Sequence, residues 1–263
     1  MHLKCLTCEA LARPVYLSAA HSPHVVDVEL LRLGWHSDPQ ALRSRLQARI
    51  DAAAAGLETG ADTVNERTSA ELDLGRSYDA ILLAYGLCGR STEGLVARGV
   101  PLVVPRAHDC ITLFLGGRAR YQREFSDHPG TYWYAQDYVE RKTGNTVLSL
   151  GAEGYDDVAE MYDTYVEKYG KDNADYLMEV MGAWSQHYNR AAYIRLGVAD
   201  SPAIEAETRD EASRRGWSFD QVAGDLVLVR RLLEGDWDED FLVVQPGGQI
   251  RMAYDERVVT CGA

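Results

Sequence analysis

Residues 79–90 read Asp-Ala-Ile-Leu-Leu-Ala-Tyr-Gly-Leu-Cys-Gly-Arg, an apolar run followed at once by a glycine-rich segment. An uninterrupted apolar run of this length indicates a strand that is buried on both faces. Gly86 and Gly89 remove side-chain bulk around Cys88 and allow positive φ, so that the thiol can project from a tight turn. The stretch therefore predicts a buried strand that ends in a turn carrying a cysteine.

Other apolar runs in the first half of the chain have the same character. They are residues 2–8, 24–31 and 101–105. Helical segments separate them, and the clearest, over residues 39–55, has an apolar stripe of Leu42, Leu46 and Ile50 at fourfold spacing. Apolar strands that alternate with helices predict an α/β fold with a mainly parallel sheet and flanking helices.

The second half of the chain has a different pattern. A helical pair is predicted over residues 154–189, followed by a smaller α/β unit with strands at 191–196 and 241–248. We therefore expect an α/β domain at 1–150 that carries the functional site, and a second domain at 151–263. One continuous domain is the alternative.

The composition limits the functions that the chain can have. It has 263 residues and a formal net charge of −13, which disfavours nucleic acid and anionic membranes as main partners. No apolar run approaches the roughly 18 residues of a membrane span, and the first residues do not resemble a secretory signal, so a cytoplasmic location is expected. A small-molecule substrate fits this balance, and a homodimer is left open.

The cysteines are not expected to form disulfides. They number five, an odd count with irregular spacing, which is typical of free thiols, metal ligands or nucleophiles. Cys5 is expected in the core because a strand places it and Cys8 on opposite faces. Cys261 is not expected to take part in the functional site.

Polar residues of distinctive chemistry follow the predicted strands at their carboxyl ends. They are Cys8, Cys88, His108, Asp109 and Cys110. Parallel strands deliver their carboxyl ends to one side of a sheet, where open α/β folds bind ligands. We therefore expect Cys8, Cys88, His108 and Cys110 to converge as ligands of zinc, which binds thiolate and imidazole. An iron–sulfur cluster on the thiols is the alternative.

A metal-free site is a second hypothesis, with Cys88, His108 and Asp109 as candidate catalytic residues. Cys88 and Cys110 could act as base and acid across a substrate carbon, as in cysteine-pair racemases, or His108 could activate Cys88 as a nucleophile. The helix after Cys88 is expected to lower the pKa of its thiol. Asp109 would orient His108 or cap the next helix. The plainest alternative is a buried Cys88 in a packed turn and a core His108 bonded to Asp109.

Some further residues are candidate contacts to a cofactor. They are Gly86, Gly89, Gly130, Thr131 and Tyr132. The glycine-rich residues 86–94 lack both G-x-G-x-x-G and the Lys-Ser/Thr pair of a P-loop, so neither nucleotide fingerprint is present. The aromatic residues 132–134 could wall a pocket or pack in the core. His36 could face the same site or pack in its loop.

Together these segments resemble the domain-of-unknown-function family 1638. The matching segments span nearly the whole chain and are CEALAR at 8–13, the His36-x-x-Pro39 step, YGLCG at 85–89, PRAHDC at 105–110, GTY at 130–132, EKYGKDNADYL at 167–177, GW at 216–217, GDL at 224–226, and Trp237 with FLVVQPG at 241–247. The chain departs from the family pattern at Glu9, where glycine is usual.

The resemblance adds a functional expectation that the residues alone do not give. Members of this family look like companions of corrinoid-dependent methyl-transfer systems that handle methylamines and betaines. Combined with the zinc site that the residues predict, this association gives the hypothesis of a metal-thiolate protein in or beside corrinoid-dependent methyl transfer in one-carbon metabolism, as an enzyme or an accessory protein. A non-catalytic partner of a corrinoid protein is the remaining alternative.

Overall fold

A computed structural model of the chain describes residues 1–35, 38–58, 72–73, 77–141, 166, 170–171 and 188–262. The chain forms two compact units: Met1–Tyr121 with Gly224–Ala263, and Gln122–Ala223. The first unit is thus built from two separate parts of the sequence. The predicted boundary at residue 150 and nearly all of the predicted helical pair lie outside the described residues.

The described elements are numbered in chain order. The strands are β1 (His2–Cys8), β2 (Val25–Leu31), β3 (Leu57–Glu58), β4 (Leu72–Asp73), β5 (Ala80–Ala84), β6 (Leu102–Pro105), β7 (Thr131–Ala135), β8 (Arg190–Arg195), β9 (Ser218–Ala223), β10 (Phe241–Val244), β11 (Gln249–Met252) and β12 (Val259–Gly262). The helices are α1 (Ala12–His21), α2 (Pro39–Ala54), α3 (Cys110–Phe114), α4 (Arg118–Asp127), α5 (Gln136–Glu140), α6 (Pro202–Arg214) and α7 (Val227–Glu234), with one 3-10 turn at Glu9–Leu11.

The first unit is organised around one sheet with the strand order β10-β6-β5-β1-β2. Strands β2, β1, β5 and β6 are parallel, and β10 joins β6 in the antiparallel direction. Two short antiparallel pairs, β3–β4 and β11–β12, complete the described strands of this unit. The predicted α/β fold with a mainly parallel sheet is confirmed.

Helices cover both faces of this sheet. The stripe of Leu42, Leu46 and Ile50 on α2 is buried in one core cluster with strand residues such as Leu6 and Ile81. Because side chains alternate along a strand, Cys5 and Leu82 belong to the opposite face. There α1 and α7 pack against each other, and α7 also contacts β5 and β6.

The second unit contains a smaller parallel sheet with the order β7-β8-β9. Its core is aromatic, and Tyr132, Tyr134 and Tyr193 are nearly fully buried there. Helix α6 starts at the N-cap Ser201, whose hydroxyl accepts from the N–H of Ile204, and it packs against β8 and β9. In the described part of the chain, no helix is long and apolar enough to cross a membrane.

Candidate functional site

The candidate site lies at the carboxyl edge of the large sheet, where the chain changes direction across the sheet. From β1 the chain passes outward to β2, whereas β5 and β6 follow on the other side of β1. In open α/β sheets, the crevice at such a switch point is where ligands bind. Cys8 is the last residue of β1, and Cys88 lies in the turn that follows β5.

The turn after β5 has an unusual backbone. Cys88, Gly89 and Arg90 all have positive φ, at 44°, 63° and 71°. This conformation is uncommon for residues with a side chain, and it costs free energy that the surrounding structure must supply. The glycine-rich segment therefore permits the turn, as the sequence predicts, but Cys88 itself also adopts a strained conformation.

Backbone contacts join this turn to the segment after β6. The N–H groups of Leu87 and Cys88 donate to the carbonyl oxygens of Ala107 and His108, at 2.8 and 3.0 Å. A methyl group on Gly86 would lie 2.6 Å from the Cα of Asp109, so that only glycine fits at this position. The two segments thus form one rigid arrangement.

Asp109 caps helix α3, which begins at Cys110. Its Oδ1 accepts from the N–H groups of Ile111 at 3.0 Å and Thr112 at 3.3 Å, and its Oδ2 accepts from the hydroxyl of Tyr121 at 3.2 Å. Burial raises the pKa of Asp109, and these hydrogen bonds together with His108 oppose the rise. Of the two predicted roles, capping is the one that the structure shows.

Cys8, Cys88 and Cys110 lie close enough to affect one another's ionisation. Burial raises the pKa of Cys88 to about 12, and Asp109 and Cys8 add to the rise. Burial also raises the pKa of Cys110 well above its ordinary value, with further contributions from Cys88, Asp109 and Cys8. The structure therefore brings together the thiols from the ends of β1, β5 and β6.

The predicted lowering of the pKa of Cys88 is wrong. Backbone hydrogen bonds from Gly86 and Cys110 do favour the thiolate, but the loss of solvation on burial outweighs them. The helix predicted after Cys88 is also wrong, since residues 88–94 form turns and no helix dipole acts on this thiol from that segment.

The remaining histidine and cysteines have different surroundings. His108 is exposed, and its ring centroid is 6.5 Å from that of Tyr121. Cys5 is fully buried in the core, as predicted, and its pKa is raised to about 12 mainly by burial. Cys261 is exposed on β12. His36 lies outside the described residues.

Two tyrosines that the sequence analysis did not identify belong to this site. Burial, followed by the charges of Cys8 and Cys88, raises the pKa of Tyr85, and Tyr85 belongs to the core cluster against which Cys8 and Cys88 pack. Tyr85 stands in the same motif as Cys88 and could have been selected as the last residue before the turn. Nothing in the sequence marks Tyr121, which reaches Asp109 from α4.

The other predicted cofactor contacts lie in the second unit and make internal contacts there. The carbonyl oxygen of Gly130 accepts from the N–H of Arg190, and the hydroxyl of Thr131 donates to the carbonyl oxygen of His128 at 2.8 Å. The ring of Tyr132 packs against Trp217, with centroids 5.2 Å apart. Binding of a cofactor by these residues, or by Gly86 and Gly89, stays a prediction.

Among the described residues, no group of three or more His, Cys, Asp or Glu side chains is placed to hold a metal ion. Comparison with known proteins gave one family match, to a model described as a protein of unknown function, over residues 30–233. The match includes Cys88, His108 and Cys110 and does not include Cys8. No curated protein and no solved structure matches the chain.

Proposed function

The chain belongs to this family of proteins of unknown function, DUF1638, and from that premise we propose that Cys8, Cys88 and Cys110 form a metal-thiolate centre, with zinc as the metal. The observation that carries the proposal is that three thiols from the ends of three parallel strands influence one another at the switch point of the sheet.

The chemistry of the donor set fits a metal cation. Like charges disfavour one another, so three neighbouring thiolates need a positive charge among them. Zinc supplies that charge and deprotonates the thiols that bind it. We prefer zinc to an iron–sulfur cluster because a histidine stands next to the cysteines and iron–sulfur sites favour ligation by thiolates alone. The side chains would have to rotate when metal binds, since they are not arranged around a common point without it.

The neighbouring residues have separate tasks in this proposal. His108 is exposed and is available as a fourth ligand or as a group beside the metal. Asp109 holds the start of α3, which carries Cys110, because both of its oxygens already accept hydrogen bonds. It therefore positions Cys110 and is not itself a ligand.

We place this centre in or beside corrinoid-dependent methyl transfer, as the resemblance implies. A thiolate held by zinc is an acceptor for a methyl group, and the chain would act as an enzyme or as an accessory to a corrinoid protein. The pKa of Cys88 argues against the metal-free nucleophile, because a thiol with a pKa of about 12 is protonated at neutral pH.

Elemental analysis of protein purified without oxygen tests the proposal. We expect about one zinc per chain in the wild type, and its loss in Cys8→Ser, Cys88→Ser and Cys110→Ser. Cys261→Ser is the matched control, since Cys261 is exposed on β12 and should not affect metal content. Absence of both zinc and iron from the wild type would exclude the metal centre. Iodoacetamide labelling that chelators do not change would then favour metal-free cysteine chemistry.

A further inference from the structure

An arginine at the same sheet edge has only part of its hydrogen-bonding capacity used. Arg106 is the first residue after β6, and its Nη1 donates to the carbonyl oxygens of Arg257, at 3.1 Å, and Val259. Within the described residues its Nε and Nη2 have no hydrogen-bond partner, and the guanidinium forms no ion pair with a carboxylate. Contacts within the described part of the protein therefore use Nη1 of the guanidinium and leave the Nε–Nη2 edge without a hydrogen-bond partner.

Two more arginines bind the same turn between β11 and β12. Nη1 of Arg118 donates to the carbonyl oxygen of Glu256, and Arg257 pairs with Asp255 through both carboxylate oxygens. Arg106 and Arg118 thus bind carbonyl groups of the same short turn, and their positive charges are close together. Glu256 contributes its carbonyl oxygen to these contacts and its side chain is exposed.

Two nearby carboxylates, Asp255 and Asp240, already have their own partners, and the exposed Glu256 forms no ion pair with Arg106 in the described part of the chain. Asp255 is paired with Arg257 at 2.6 Å, and Asp240 is shared between Arg118 at 3.1 Å and Arg231 at 3.2 Å. Arg231 is in addition paired with Asp236 at 2.8 Å and with Asp238. The positive charge of Arg106 is therefore left without a paired carboxylate in the described residues, although the chain as a whole carries −13.

Arg106 also lies on the segment that carries the candidate site. One residue, Ala107, separates it from His108, and the carbonyl oxygen of His108 accepts from the N–H of Cys88. The hydroxyl of Tyr254, on the same β11–β12 turn, is close enough to Arg90 of the Cys88 turn to contribute to its raised pKa, and the Tyr254 side chain is 90% exposed. Arg106 thus belongs to the same sheet edge and the same chain segment as the candidate site.

We propose that the open edge of Arg106 binds the oxyanion, a carboxylate or phosphate, of a small anionic ligand at this site, with Arg118 adding positive charge. The planar guanidinium presents two parallel N–H groups along one edge, and these match the two oxygens of such a group. Only the identification of this ligand as the substrate rests on the proposed function. Anion binding at Arg106 does not depend on the metal.

NMR of the Arg106 side-chain Nε–H resonance tests this directly in the full-length protein, both metal-free and zinc-loaded. Acetate and inorganic phosphate are the probes, titrated at constant ionic strength against chloride. We expect one of them to shift the Arg106 resonance in a saturable way, and the more effective probe identifies the oxyanion. Arg98, an exposed residue paired with Asp51 at 3.2 Å, provides a control resonance that should not shift.

Two variants make the result decisive. Arg106→Lys keeps the charge but not the paired N–H edge, and it should weaken binding of the effective probe about tenfold, as measured by its effect on neighbouring backbone resonances. Arg98→Gln removes one positive charge from the same unit and should leave binding unchanged. Equal shifts of the Arg106 and Arg98 resonances, or equal binding by wild type and Arg106→Lys, would overturn the proposal. Because the metal-free protein is tested too, a failure of zinc binding cannot be mistaken for this outcome.

Discussion

The backbone N–H of Cys88 donates a 3.0 Å hydrogen bond to the carbonyl oxygen of His108, which ties the turn after β5 to the segment after β6. A second bond, from Leu87 to Ala107 at 2.8 Å, extends this pairing beyond the end of the two parallel strands. The relative position of Cys88 and Cys110 is therefore set by the backbone. Side-chain substitutions at the site should change its chemistry without moving the turns.

Gly86→Ala should separate the two segments. The added methyl group would lie 2.6 Å from the Cα and N of Asp109, and backbone atoms cannot yield as a flexible side chain can. We expect a loss of about 1–3 kcal/mol in the free energy of unfolding, typical of overpacking. Hydrogen exchange at the amides of Leu87 and Cys88 should also become faster. Urea unfolding measures the change in stability, and hydrogen-exchange mass spectrometry measures the change in exchange rate.

Gly197→Ala is the control for this prediction. Gly197 has a φ of 69° and no atom within 4 Å of an added methyl group, so alanine there adds only conformational strain. It should leave exchange at Leu87 and Cys88 unchanged. Unaltered exchange at these two amides in Gly86→Ala would show that the close approach to Asp109 does not hold the turns together.

Asp109→Asn should alter how stability depends on pH in the metal-free protein. Burial raises the pKa of Asp109 above its ordinary 3.8, so the folded state holds this proton more tightly than the unfolded state does. The wild type therefore loses stability from this group as pH rises through 3.8 toward the folded-state pKa, and asparagine does not. The stability of Asp109→Asn relative to wild type should increase over that range.

Urea unfolding of both proteins at a series of pH values gives this comparison. Asparagine retains a side-chain oxygen that can cap α3, whereas Asp109→Ala removes the cap and should be about 1 kcal/mol less stable than Asp109→Asn at every pH. A difference between wild type and Asp109→Asn that stays constant with pH would contradict the raised pKa.

Tyr121→Phe should weaken the support of Asp109. It removes the donor that lies 3.2 Å from Oδ2 and leaves that oxygen of a buried carboxyl group with one hydrogen bond fewer. We expect a loss of about 0.5–1.5 kcal/mol in the free energy of unfolding and a further rise in the pKa of Asp109. Double-mutant cycles with Asp109→Ala measure the coupling, and strictly additive losses would mean that the hydrogen bond contributes nothing.

The sequence predicted the sheet well because strands buried on both faces consist of apolar residues, as in residues 80–84 and 102–105. It also indicated the edge at which Cys8 and Cys88 meet, since parallel strands share a direction. The contact between Gly86 and Asp109, and the free edge of Arg106, depend on how two loops pack. The pKa of Cys88 depends on burial. None of these three properties is encoded in local residue patterns.

Alkylation by iodoacetamide tests the protonation state of Cys88 in the metal-free protein. The thiolate is the reactive form, and a pKa raised from 9.0 to about 12 lowers its fraction at about pH 8 by close to a thousandfold. The higher intrinsic nucleophilicity of a more basic thiolate offsets part of this, so we expect Cys88 to react roughly thirty- to sixtyfold more slowly than an unhindered thiol of ordinary pKa. Mass spectrometry of peptides follows each cysteine separately, and Cys261 serves as the exposed internal standard.

Slow labelling at about pH 8 that accelerates as pH approaches 12 would agree with a thiol held neutral by burial. Labelling of Cys88 as fast as that of Cys261 would instead mean that Cys88 is an activated thiol. That result would favour the metal-free nucleophile over the metal centre.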